Sequence, residues 1–159
     1  MYIVVVGAGT VGYGLSLELQ SLADHEVVMV DRDRARSAEL REELGEMVVH
    51  GDGTEVVFLE SVGTRRADIL IAVTGDDGTN LIACQVAKHW FKVGRTIARV
   101  NNPRNERLFR LLGIDSTVVR AHQHAAGARH QPPAGRSVGQ NPDGDRPRRR
   151  TRSPRPLPG

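Results

Sequence analysis

Residues 4–12 read VVVGAGTVG, a β-branched run that enters glycines spaced G-x-G-x-x-G at Gly7, Gly9 and Gly12. That spacing, between a strand and a helix, suits a phosphate-bearing ligand. Gly7 permits a tight turn, Gly9 lets the backbone approach a pyrophosphate, and Gly12 lets the helix pack close to the strand. Ala8, Thr10 and Val11 complete the loop, whose N–H groups open a helix where the partial positive charge favours an anion. The plain alternative is a tight strand-to-helix turn and nothing more.

Three further stretches have the residue types that such a ligand would need. Asp31 follows an apolar run 19 residues after Gly12. A carboxylate there can accept both ribose hydroxyls of an adenosine and repel a 2′-phosphate. Arg32 works the other way, since an arginine accommodates that phosphate. Gly51 and Asp52, in GDGT, would border the adenine, with Asp52 accepting from the exocyclic amine. Alternatively, Asp52 caps a helix starting near Glu55. Val73 and Thr74, in AVTGDD, end another apolar run and would meet the ribose or phosphates. Asp76 and Asp77 read best as N-caps of the next helix, with a divalent cation as the sharper alternative.

These residues must be positioned by elements, and the apolar runs supply them. Strands are expected at Tyr2–Val6, Glu26–Val30, Met47–His50, Asp68–Thr74, Thr96–Val100 and Asp115–Val119. Helical spacing covers Val11–Leu22, with Val11, Leu15, Leu19 and Leu22 inward. It also covers Arg34–Leu44, where Ala35, Ala38 and Leu44 are the inward candidates. The remaining helices are Glu55–Val62, Thr79–Phe91 and Arg104–Leu112, the last bearing Leu108, Leu111 and Leu112. Nearly continuous apolar strands separated by helices imply an α/β fold, a parallel sheet covered on both faces. Right-handed crossovers make it a Rossmann-type doubly wound sheet of about six strands, most simply in order 3-2-1-4-5-6.

Composition divides the 159-residue chain at about residue 119. Residues 120–159 carry nine arginines, no lysine, two aspartates and seven of the eight prolines. The net of +3 is therefore a mildly acidic body plus a basic Pro/Arg-rich tail. Val138 and Leu157 are the tail's only large aliphatics, so it is expected to be disordered. Cys84 is the single cysteine and lies in the apolar LIACQVA, which points to a buried structural thiol. No basic segment precedes the first strand as a signal peptide would require, and no run approaches the ~20 apolar residues of a membrane span. These features lead to the expectation of a cytosolic protein.

Taken together, VVVGAGTVG, VDRD (30–33), VVHGDGTE (48–55), ADILIAVTGDDGTNLIACQVAK (67–88) and TIARVNNPRNERLFRLLGID (96–115) resemble the nucleotide-binding N-terminal domain of the RCK/KTN family. These are the TrkA-N domains that regulate potassium transporters and channels. The DDGTNL and IARVNNP runs are much more specific than the glycines. The resemblance spans residues 1–119 and implies a cytoplasmic module, peripheral to the inner face of the membrane. Such a module binds NAD(H) or ATP/ADP, forms a homo-oligomer through its Rossmann domain and acts on a membrane potassium transporter or channel subunit. Position by position, it implies that Gly7, Ala8, Gly9, Thr10, Val11 and Gly12 form the phosphate loop. Asp31, with Arg32 beside it, is the ribose acid; Gly51 and Asp52 form the adenine-side loop; Val73, Thr74 and Arg99 are further contacts. Asn80 and Asn101 match family positions without an assigned role. Family members typically continue into a crossover helix and often a small C-terminal domain. The tail here, from AHQHAAGARHQPP onward, matches neither and reads as an out-of-frame or replaced C-terminus.

Two other function classes fit less well. A nicotinamide dehydrogenase, or a fragment of one, needs a proton-transferring group beside the reacting carbon. His25, His50 and His89 are the body's histidines. His25 falls at the bottom of the sheet, His50 on the adenine side, and His89 late in a helix, facing away from the strand ends. The expectation is that the protein is not an enzyme. The tail's DRPRRRTRSPRPLP would meet nucleic-acid phosphates but offers no aromatics for stacking on bases, so no specific nucleic acid is expected. His122, His124 and His130 read as polar filler.

Overall fold

A computed structural model of the chain describes residues 1–22 and 24–121. Its six strands are β1 (Tyr2–Val6), β2 (Glu26–Asp31), β3 (Val48–His50), β4 (Ile69–Ala72), β5 (Arg95–Val100) and β6 (Ser116–Val119). All pair in parallel, in the order β3-β2-β1-β4-β5-β6, which is the expected doubly wound sheet. Every residue of β1 is buried, because YIVVV is covered on both faces. Alternation sends Tyr2, Val4 and Val6 to one face and Ile3 and Val5 to the other.

Among the described residues five α-helices cover the sheet: α1 (Thr10–Ser21), α2 (Arg34–Leu44), α3 (Val56–Ser61), α4 (Asp77–Gln85) and α5 (Glu106–Leu111). Leu15 and Leu19 of α1 and Leu44 of α2 pack on the Ile3/Val5 face. Leu59 of α3, Cys84 of α4 and Phe109 of α5 pack on the opposite face. Cys84 is fully buried, and burial pushes its thiol up to about 12, so it is structural as expected.

The helix faces follow the sequence expectation in part: Leu15, Leu19 and Leu44 pack inward as expected, and the other positions differ. In α1, Gly12 and Ser16 are buried while Val11 and Leu22 are exposed. The close approach of Gly12 to Gly7 sets the phase of that helix and turns Val11 outward. In α2, Ser37 and Leu40 face inward instead of Ala35 and Ala38, because the Ser37 hydroxyl bonds the carbonyls of Asp31 and Asp33. In α5, only Phe109 is buried; Leu108, Leu111 and Leu112 are exposed, since so short a helix presents one position to the sheet. The expected Thr79–Phe91 helix begins two residues earlier and gives way to a π-helical turn at Val86–Trp90. Among the described residues no helix is long and apolar enough to cross a membrane. The reading of 120–159 as a tail lies, from residue 122 onward, outside the described residues; Arg120 still donates its backbone N–H to the Val100 carbonyl at 2.8 Å.

At the β5–β6 edge, the Asp115 carboxylate accepts from Lys88 Nζ at 2.9 Å and from Thr96 N and Oγ1, both at 2.8 Å. Burial pushes its pKa up, but the Lys88 and Thr96 hydrogen bonds outweigh that and hold it down to about 2. A depressed carboxylate stabilises the fold above its unfolded pKa and stops doing so as pH falls through its folded one. Stability should therefore drop between about pH 4 and about pH 2. Asp115→Asn should flatten this acid limb in urea titrations run across that range. An unchanged acid limb would remove Asp115 as its source.

Candidate functional site

A hollow of about 260 Å³ opens at the carboxyl ends of the central strands, beside the switch between β1 and β4. Val6 and Gly7 at the end of β1, Val30, Asp31 and Arg32 at the end of β2, and Gly51, Asp52 and Gly53 after β3 form three of its walls. Thr74, Gly75 and Asp76 after β4, with Thr79 of α4, form the fourth.

Of the expected site residues, Gly7, Asp31, Arg32, Gly51, Asp52 and Thr74 line this hollow. Gly7 has φ +108°, a conformation open to glycine, and its N–H donates to the Val30 carbonyl at 2.7 Å. Ala8 is fully buried and spends its N–H on Asp31 Oδ2 at 2.7 Å. Gly9 occupies the N-cap of α1 without any side-chain cap. The first intrahelical bond is from Tyr13 N to the Gly9 carbonyl. The N–H groups of Thr10, Val11 and Gly12 thus have no partner within the helix, the arrangement that binds anions.

Asp31 is held by the backbone itself. Its Oδ2 accepts from Ala8 N at 2.7 Å and its Oδ1 from Asp33 N at 2.8 Å. Each oxygen retains a further lone pair for a hydroxyl donor. The carboxylate is thereby fixed against the glycine loop, whose other side is tied by Arg36 Nε donating to the Ala8 carbonyl at 2.5 Å. Arg36 is absent from the sequence expectation. Its role follows from the turn at Asp33, which caps α2 by accepting from Arg36 N at 3.0 Å.

Asp52 Oδ1 accepts from Thr54 N at 2.8 Å and Thr54 Oγ1 at 2.7 Å. These bonds hold its carboxyl below the usual carboxylate range, with Arg32 adding to the effect. The alternative in which Asp52 caps the next helix is corrected: α3 begins at Val56, and Glu55 sits at its N-cap without a side-chain bond. Asp52 instead closes the turn that carries Gly53 into the hollow.

Asp76 caps α4, accepting from Thr79 N and Oγ1, both at 2.7 Å, and so bears out the capping reading. Asp77 lies inside the first turn and does something else. Its Oδ1 accepts from Asn101 N at 2.6 Å and Asn101 Nδ2 at 3.0 Å. Its Oδ2 accepts from Asn102 N at 3.0 Å and Asn105 Nδ2 at 2.8 Å.

Thr74 is held by Asn80, which is fully buried. Asn80 Oδ1 accepts from Thr74 N at 2.9 Å and Thr74 Oγ1 at 2.6 Å, while Nδ2 donates to the carbonyls of Thr74 at 3.0 Å and Arg99 at 2.9 Å. Arg99 thus enters through its backbone and does not line the hollow. Val73 is buried beneath the wall, with its N–H on the Val6 carbonyl at 2.9 Å. Asn80 and Asn101 matched family positions in the sequence without a role; their function here is to fix the wall. Gly75, three residues beyond the end of β4, also lines the hollow and was missed.

Comparison with known proteins bears on what this hollow is for. The model of the TrkA-N domain matches residues 3–120. The "Trk system potassium uptake protein TrkA homolog" of Methanothermobacter thermautotrophicus is 35% identical over 127 residues, covering 80% of this chain and 57% of that protein. The "Trk system potassium uptake protein TrkA" of Mycobacterium tuberculosis is 37% identical over 121 residues, covering 74% and 53%. This chain thus spans about half the length of the curated relatives it matches. Among solved structures, the GsuK channel bound to NAD is similar at a TM-score of 0.62 and 26% identity, over 74% of this chain and 20% of that one. The same channel bound to ADP is similar at a TM-score of 0.61 and 26% identity, covering 74% and 30%.

Proposed function

The chain belongs to the TrkA-N domain family, and from that premise we propose that its globular part is a nucleotide-sensing regulatory module of potassium uptake. The ligand is NAD(H) or ATP/ADP, as in the GsuK channel, which is bound to NAD in one structure and to ADP in another. The partner is a membrane potassium transporter or channel subunit. The module acts as a homo-oligomer through its Rossmann domain, on the cytoplasmic face. One observation carries the reading: Asp31, anchored to the Ala8 amide, lines the same hollow as Gly7, directly ahead of the uncapped start of α1. A diphosphate on those N–H groups would leave its adenosine ribose to the carboxylate.

We read the module as a sensor: the histidines weighed as proton donors for a dehydrogenase, His25, His50 and His89, lie outside the lining of the hollow. Regulation then rests on differential affinity, because a ligand shifts an oligomer only as far as it binds one state better. Calorimetric titration with NAD, NADH, ATP and ADP tests the reading, and binding of none of them sinks it. Steady oxidation of NADH with simple carbonyl compounds would favour an oxidoreductase fragment instead. Asp31→Ala should weaken adenosine-ligand binding by about 1–3 kcal/mol through loss of charged hydrogen bonds. Unchanged affinity in that variant would remove Asp31 from the site.

A further inference from the structure

We propose that Asp77 is a positioning residue that joins the ligand-facing Thr74 wall to helix α5, so that occupancy of the hollow is felt at the outward leucines of that helix. The proposal rests on the nucleotide reading above. Its basis is a continuous set of bonds. Thr74 lines the hollow, and its carbonyl accepts from Asn101 Nδ2 at 3.1 Å as well as from Asn80. Asn101 is the first residue after β5, and both its nitrogens lie on Asp77 Oδ1. The other oxygen, Oδ2, takes Asn102 N and Asn105 Nδ2, and Asn105 immediately precedes α5. One carboxylate therefore holds the whole 101–105 loop.

Helix capping does not account for this. Asp76 already caps α4, so Asp77 is spent entirely on residues 24 to 28 positions away. Charged acceptors make the stronger hydrogen bonds, and four on one side chain fix a geometry rather than merely fill a surface. Beyond the loop, α5 buries Phe109 and leaves Leu108, Leu111 and Leu112 exposed, and its far end is held by Gln85 Nε2 on the Leu112 carbonyl at 2.7 Å. A ligand that shifts the Thr74 carbonyl must strain or relax Asn101, and the strain passes through Asp77 to the start of α5.

The test uses the full chain as wild type, Asp77→Asn and Asn105→Ser. Each is titrated with NADH, and separately with ADP, by calorimetry. Amide exchange over 102–112 is followed with and without saturating nucleotide. The expected result is that nucleotide slows exchange there about tenfold in the wild type, and that both variants lose most of this response. Because coupling is reciprocal, their nucleotide dissociation constants should rise in step. Asn105→Ser removes one of the four bonds away from the hollow, so it decides the matter if Asp77→Asn does not fold. Wild-type binding with no change over 102–112 overturns the proposal and leaves the nucleotide reading standing. Retention of the full response in Asn105→Ser and in folded Asp77→Asn also overturns it. Failure of the wild type to bind either nucleotide overturns both.

Discussion

Gly9→Ala should abolish nucleotide binding while leaving the fold intact, and Gly12→Ala should do nearly the reverse. At Gly9 the backbone is extended (φ −69°, ψ −174°), and a Cβ built there meets nothing within 4 Å. Alanine in place of an N-cap glycine costs the folded chain about 0.5–1 kcal/mol. The open space beside that Cβ is where a diphosphate on the α1 N–H groups would lie, so the methyl group should weaken binding by about a hundredfold or more. At Gly12 the Cβ would fall far inside van der Waals contact of the Gly7 carbonyl oxygen, 2.9 Å from its carbon and 3.3 Å from Val73 Cγ2. Backbone cannot yield as a side-chain tip can. The helix must lift off β1, at a cost of about 3 kcal/mol or more. Urea denaturation and nucleotide titration of both variants separate the two roles. A Gly9→Ala as destabilised as Gly12→Ala, or a fully stable Gly12→Ala, would refute this division. Tight binding by Gly9→Ala would place the phosphates elsewhere.

The contrast between these glycines shows what was readable in advance. The sheet was legible because its strands are nearly continuous apolar runs, and no polar position interrupts the burial of Tyr2–Val6. The loops that line the hollow were legible because glycine and aspartate cluster just past the strand ends, at Gly7, Asp31, Gly51 and Asp52. Helix faces were legible only in part: Leu15, Leu19 and Leu44 pack inward as their spacing implies, but tertiary contacts set the rest, since Gly12 on Gly7 turns Val11 out and the bonds of Ser37 turn Ala38 out. The network behind the site was hidden for a related reason. Hydrogen bonds donated by Asn101 and Asn105 to the Asp77 carboxylate join residues more than twenty positions apart, and the local pattern of two aspartates before a helix suggests only a cap. Asp31, expected as a ribose acid, does line the hollow, but its bond to Ala8 N depends on how two loops meet in space.

Asn80→Ala should be the most damaging change of a single polar side chain in the molecule. Asn80 is fully buried and makes four hydrogen bonds, two accepted from Thr74 and one donated to each of the Thr74 and Arg99 carbonyls. Truncation leaves the Thr74 N–H unsatisfied, along with the Arg99 carbonyl. A buried unpaired polar group costs about 1–3 kcal/mol, so a total loss of roughly 2–4 kcal/mol is expected. That corresponds to a Tm lower by roughly 10 °C in a domain of this size. The Thr74 carbonyl keeps Asn101 as a donor, which limits the damage at that atom. Function should suffer beyond stability, because Thr74 lines the hollow and Asn80 alone holds its N–H. A ligand at about a hundred times its Kd stabilises a folded domain by about 2.7 kcal/mol. The same nucleotide concentration should therefore raise the Tm of the wild type clearly and that of Asn80→Ala much less. Asn80→Asp makes the dissection finer. It keeps both bonds accepted from Thr74, loses the donation to two carbonyls, and sets a charge against them. If a lost wall geometry is the cause, Asn80→Asp should be destabilised as well, yet keep more of its nucleotide-induced rise than Asn80→Ala. Equal loss of the rise in both variants, or a cost below about 1 kcal/mol for Asn80→Ala, would mean that the Thr74 wall does not depend on this residue.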